Sequence, residues 1–147
     1  MIKAIDHINI VVKDMAKARQ FFLDLGFSVV SDREGELAGD WIEQVTKLKH
    51  AKGYYCTLSL PGAQTNLELI QYDSPKDSDD PLISKPNHVG FRHVAFVVDN
   101  IEELVAHLKK KNVKLFSEIQ EYKPAGKKLC YFLGPEGIIL ELAEYKN

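Results

Sequence analysis

The chain has 147 residues, enough for one domain with a core of its own or for two small modules. Nineteen basic against twenty-one acidic residues leave a net charge of −2. That balance gives no electrostatic footprint for nucleic acid or an anionic membrane. No apolar run approaches the roughly 20 residues that cross a bilayer.

The N-terminus "MIKAIDHINIVV" lacks the apolar core and cleavage pattern of a secretion signal, so a cytoplasmic location is expected. Cys56 and Cys130 form neither a disulfide framework nor a CxxC knuckle and read as reduced, half-buried thiols.

In chain order, Ala4–Val12 reads as a strand. A helix follows, with Asp14 as N-cap, Ala18, Phe21, Phe22 and Leu25 at helical spacing, and Gly26 as its stop. Trp41, Val45 and Leu48 then suggest a short amphipathic helix. "LPG" at 60–62 is a hairpin turn, and it leads into the strand "NLELIQY", Asn66–Tyr72. The segment 74–90, rich in Pro, Asp and Ser, reads as a linker.

Beyond it the plan repeats. Phe91–Val98 is a strand, and Asn100 with Glu103 forms a capping box. Ile101, Leu104, Val105 and Leu108 make an apolar stripe, Asn112 stops the helix, and "LGPEG" at 133–137 precedes "ILELAEY", Ile139–Tyr145. The lysines of "HLKKKNVK" fall at the helix end, where they suit the dipole and solvent.

One offset superposes His7 on His93, Val11 on Val97, Asp14 on Asn100 and Gly26 on Asn112; a second superposes Glu68 on Glu141 and Tyr72 on Tyr145. The sequence therefore predicts an α+β fold of two βαβββ modules, about 1–73 and 91–147. Two open sheets side by side would make a curved eight-stranded cup with helices outside.

Strand alternation assigns the faces. Ile8, Ile10 and Val12 share one face, and Val94, Phe96 and Val98 its copy, so the helices pack there. His7 and His93 point to the other face, together with Glu68 and Glu141. Carboxylates turned inward are costly unless paired or bound to a cation. Two carboxylates and two neutral imidazoles neutralise a divalent ion and suit Zn, Ni, Co, Mn or Fe.

Four protein ligands on a six-coordinate ion leave two positions for water or substrate oxygens. Such an ion can polarise a carbonyl and stabilise an enediolate while a displaced carboxylate takes the proton, with Glu141 assigned as base and Glu68 as its symmetric alternative. His50, His88 and His107 read as loop or surface residues; Trp41, Tyr55, Tyr72 and Tyr131 read either as pocket lining or as core.

With these motifs in place, the chain resembles the vicinal oxygen chelate superfamily over essentially its whole length. Its ligand positions fall on His7, Glu68, His93 and Glu141. The His/Glu/His/Glu set resembles bacterial-type glyoxalase I, while "GFRHVAFVVDNIEELVAHLKKKNV" and "NLELIQYDSP" resemble methylmalonyl-CoA epimerases. Where glyoxalase I has its glutathione arginine and asparagine, this chain has Val11 and Tyr72. Where the epimerases have a second glutamate, it has Cys56 or a neighbour.

The resemblance implies a divalent-metal lyase or isomerase acting on a small α-oxygenated carbonyl compound or thioester, in a C2 homodimer. An extradiol-type dioxygenase and a metal-free drug- or metabolite-binding protein are the competing readings.

Overall fold

The structure, a computed structural model, describes residues 3–77, 85–87 and 89–146. Much of the expected linker, and His88, lie outside the described residues. The chain divides into two compact units, Met1–Asp79 and Asp80–Asn147, each described by itself.

In the first unit, β1 (His7–Val11) leads to α1 (Met15–Asp24), β2 (Ser28–Leu37), α2 (Asp40–Thr46), β3 (Lys52–Ser59) and β4 (Asn66–Ser74). The strands form a mixed sheet in the order β1-β4-β3-β2, with β1 parallel to β4 and the other pairs antiparallel. The second unit runs β5 (His93–Val97), α3 (Ile101–Lys110), β6 (Gln120–Tyr122), β7 (Lys127–Leu133) and β8 (Ile139–Tyr145), in the order β5-β8-β7-β6. Both units are βαβββ modules, and neither sheet closes into a barrel. β1 and β5 are shorter at both ends than the apolar runs suggested, because each ladder extends only where the partner strand runs alongside.

The helix boundaries follow from local chemistry. Asp14 accepts a hydrogen bond from the Lys17 N–H at 3.0 Å, and Asn100 accepts one from the Glu103 N–H at 3.0 Å. Glu103 answers through its side chain, which accepts from the Asn100 amide at 3.4 Å. Gly26 and Asn112 both adopt the positive φ that ends each helix, at 95° and 57°. The repeat also tethers each helix start to its closing strand. The Met15 N–H donates to Gln71 Oε1 at 2.8 Å, and the Ile101 N–H to Glu144 Oε2 at 2.7 Å.

On the helix faces, Ile10, Val12, Ala18, Phe22, Leu67 and Leu69 are buried in the first unit. Ile101, Val105, Leu108, Phe132, Leu140 and Leu142 are buried in the second. Each such side chain contributes about 1.5–3 kcal/mol relative to remaining exposed.

Cys56 pairs with Leu69 across β3 and β4, and Cys130 with Leu142 across β7 and β8. The two thiols therefore occupy matching positions and are fully buried rather than half-buried. Burial raises the pKa of each above an ordinary thiol's.

The helix of the first-module insertion differs from expectation in two ways. Its buried residue is Ile42, while Trp41 and Val45 are exposed and Leu48 lies beyond its end. Ile42 packs with Leu37, Ala51 and Ile70, beside Tyr55 and Tyr72. Because Ile70 and Glu68 share a strand face, α2 covers part of the sheet face opposite α1. A ten-residue β2 whose ladder slips between Val29 and Glu34 carries the chain there.

Candidate functional site

The parallel ladder β1/β4 places Asn9 opposite Glu68, with His7 opposite Asn66. On the other side of β4, Thr57 stands opposite Glu68. His7, Asn9, Thr57 and Glu68 therefore share one face, as alternation requires, and Cys56 turns to the helix side.

His7 Nε2 lies 3.7 Å from Glu68 Oε1. His7 Nδ1 lies 2.8 Å from Asp6 Oδ2. A carboxylate can only accept, so Nδ1 donates in that bond and Nε2 is the ring nitrogen turned towards Glu68. That hydrogen bond, with a smaller contribution from the Arg33 charge, holds the Asp6 carboxyl below the usual carboxylate range. Asn9 Nδ2 donates to Glu68 Oε1 and to the Glu68 backbone oxygen, both at 3.2 Å. A hollow of about 260 Å³ opens here, lined by Asp6, His7, Arg33, Tyr55, Thr57, Asn66 and Glu68.

The second unit repeats the register. Ala95 and Tyr131 stand opposite Glu141 on its two neighbouring strands. His93 Nε2 lies 3.0 Å from Glu141 Oε2, and the Tyr131 ring packs at 5.0 Å from the imidazole. Lys127 Nζ donates to Glu141 Oε1 in a short ion pair. The Glu141 side chain is only 4% exposed, against 25% for Glu68. The hydrogen bond to Glu141 raises the Lys127 ammonium above an ordinary lysine's pKa, against the opposing effect of burial.

The structure thus pairs His7 with Glu68 and His93 with Glu141, each within its own module. Among the described residues no group of three or more His, Cys, Asp or Glu side chains is gathered as a ready metal site. What each module supplies is one imidazole nitrogen and one carboxylate, a donor chemistry that fits a borderline divalent ion. The Asp6–His7 bond is the kind of outer contact that orients a ligating imidazole.

Of the four aromatic candidates, Tyr55 lines the hollow and Tyr131 packs on His93. Tyr72 packs against the Ile42 cluster, and Trp41 is exposed. His50 is an exposed turn residue, but His107 sits half-buried on α3, and its Nε2 has no hydrogen-bond partner among the described residues.

Sequence reasoning passed over Asn9, Arg33, Thr57 and Lys127. Alternation along β1 already grouped Asn9 with His7. Lys127 required the β7/β8 register, which sets it opposite Tyr145 on the face of Glu141.

Comparison with known proteins adds to this geometry. A family model described as Glyoxalase/Bleomycin resistance protein/Dioxygenase superfamily matches residues 4–142. The uncharacterized protein YaeR of Escherichia coli (strain K12) is 34% identical over 144 residues, 97% of each chain. The mitochondrial methylmalonyl-CoA epimerase of Mus musculus is 27% identical over 146 residues, 95% of this chain and 72% of the epimerase. Among solved structures, the glyoxalase family protein from Bacillus cereus aligns with a TM-score of 0.91 at 28% identity, covering 100% of this chain and 97% of that one.

Proposed function

The chain belongs to the Glyoxalase/Bleomycin resistance protein/Dioxygenase superfamily, and from that premise we propose that it is a divalent-metal-dependent lyase or isomerase. Its substrate class is a small α-oxygenated carbonyl compound or thioester. His7, Glu68, His93 and Glu141 together hold one ion, contributed by modules of one chain or of two chains in a homodimer. The observation that carries this reading is the doubled pair: in each module a His Nε2 faces a Glu carboxylate oxygen at the same ladder position.

When bound, the ion supplies electrophilic stabilisation of an enediolate. The chain's own residues do the rest. Glu68 is part-exposed and bordered by a hollow, and its hydrogen bond comes from the neutral Asn9 amide rather than from a cation, so it can accept a proton from a carbon beside the carbonyl. Glu141 is buried and pinned on both oxygens by Lys127 and His93, which suits a fixed ligand. This exchanges the two roles assigned from sequence symmetry, where Glu141 was the base. Asp6 orients His7, and Thr57 and Tyr55 border the space where substrate binds.

Turnover of a methylglyoxal–thiol adduct and of methylmalonyl-CoA, with and without added Co²⁺, Ni²⁺ or Zn²⁺, tests the reading. Metal-dependent conversion of either supports it; a metal-saturated protein inert towards both contradicts it.

One observation favours a second reading, a metal-free metabolite binder: Lys127 already neutralises Glu141. That reading requires tight binding of a small molecule that persists in chelator.

A further inference from the structure

Lys127 has no counterpart in the first module. It pairs in the ladder with Tyr145, as Gly53 pairs with the matching Tyr72. A Cβ at Gly53 would lie 2.3 Å from the Gln71 backbone oxygen, so the first module cannot carry a side chain there. Glu68 has the uncharged Asn9 amide instead, and the position matching Asn9 in the second module is Ala95, which offers Glu141 no side-chain donor. Arg33 borders the first hollow, but among the described residues only the second half-site sets a cation directly on its glutamate, a carboxylate that is almost fully buried.

We propose that Lys127 is a built-in counter-cation of the second half-site: it neutralises Glu141 when no divalent ion is present and competes with the ion for that carboxylate. The inference rests on the proposed metal function for the identity of the competitor. A buried carboxylate without a partner is costly, and Lys127 removes that cost in the metal-free protein. An ammonium and a divalent ion on one carboxylate repel each other strongly at this depth. Lys127 Nζ already lies 5.8 Å from the centre of the Tyr145 ring, so the half-exposed ring offers the displaced ammonium a cation–π seat. Lys127 is thus a positioning residue that acts through Glu141 and sets how tightly the site takes its ion.

The sign of the effect separates this role from a merely structural one. Loss of an ordinary partner of a metal ligand weakens metal binding by about 10–100-fold. Loss of a competing cation does the reverse. Chelator-treated wild type, Lys127→Met, Lys127→Gln, Lys127→Arg and Glu141→Gln are titrated with Co²⁺ by calorimetry, and their metal-free melting temperatures are measured. Lys127→Met is expected to melt lower than wild type without metal yet bind Co²⁺ about tenfold or more tightly. Lys127→Gln keeps a donor for Glu141 and drops the charge, so it gives the same sign even where the Met variant fails to fold.

Lys127→Arg stays near wild type in both measurements, and Glu141→Gln loses Co²⁺ affinity. Wild type that binds Co²⁺ while both neutral variants bind it equally or more weakly overturns the competition and leaves the metal function standing. Wild type without Co²⁺ binding, alongside a neutral variant that binds it, supports the competition and contradicts the metal function. Absence of Co²⁺ binding in every variant overturns both.

Discussion

In the first module the Glu68 carboxylate takes an amide hydrogen bond from Asn9 and remains open to a hollow, whereas Glu141 in the second is buried between Lys127 and His93. The ladders around them are otherwise alike: His7 and His93 approach from the parallel neighbour, and Leu69 and Leu142 anchor the opposite faces. Duplication therefore preserved the backbone geometry and the helix-side core while the surroundings of the two carboxylates diverged. Identical side chains at matched positions can then do different work, because burial and the nearest charge decide whether a carboxylate is mobile or fixed.

Matched substitutions break or sharpen this contrast. The largest effect is expected at the glutamates. Glu68→Gln, assayed at saturating Co²⁺ because it also removes one carboxylate ligand, should lower turnover by about 10²–10⁴-fold, the contribution of a positioned base. Glu141→Gln should instead lose the ion, as read by Co²⁺ absorption; equal phenotypes would return the two residues to symmetric roles. Where the modules agree, the costs should agree: Leu69→Ala and Leu142→Ala each remove a fully buried side chain and should cost about 2–5 kcal/mol in denaturant unfolding.

A smaller effect separates the modules at high pH. The raised folded-state pKa of Lys127 means its pairing stabilises fully below an ordinary lysine's value near 10.5 and is lost as pH rises through the higher folded value. Metal-free wild type should therefore show an alkaline loss of stability that Lys127→Met lacks.

The smallest effect contrasts the helix caps. The bond from the Lys17 N–H holds Asp14 below the ordinary 3.8, so its contribution is present above that value and fades as pH falls through the lowered one. Asn100 does not titrate. Asp14→Asn should flatten the acid limb of the melting-temperature profile by about a degree or two, with Asn100→Asp creating the same limb in the second module.

Much of this organisation was legible in the residues. Period-two alternation in "HINIV" and "HVAFV" put the histidines on the face away from the helices, and Asp14, Gly26, Asn100 and Asn112 marked both helix ends. The same alternation put the glutamates on the histidine face, while the pairing of each histidine with its own module's glutamate comes from the β1/β4 and β5/β8 registers.

What escaped was whatever depends on register or on unpaired segments. Ile42, rather than Trp41 or Val45, faces the core because the insertion folds back onto the face of Ile70, and no periodicity within seven residues decides that. Nothing within "GKKL" distinguishes Lys127; the ladder places it opposite Tyr145 on the face of Glu141, where its side chain reaches that carboxylate. Symmetry made Glu68 and Glu141 appear interchangeable, since the groups that distinguish them, Asn9 and Lys127, come from strands on opposite sides of the closing strand.

The most direct test is the metal content of the purified chain, saturated with Co²⁺ and then dialysed, in wild type, His7→Ala and His93→Ala. If the doubled pairs share one ion, wild type retains one Co²⁺ per chain and each single substitution removes it. Retention of Co²⁺ by both variants, or its absence from wild type, would contradict the shared site.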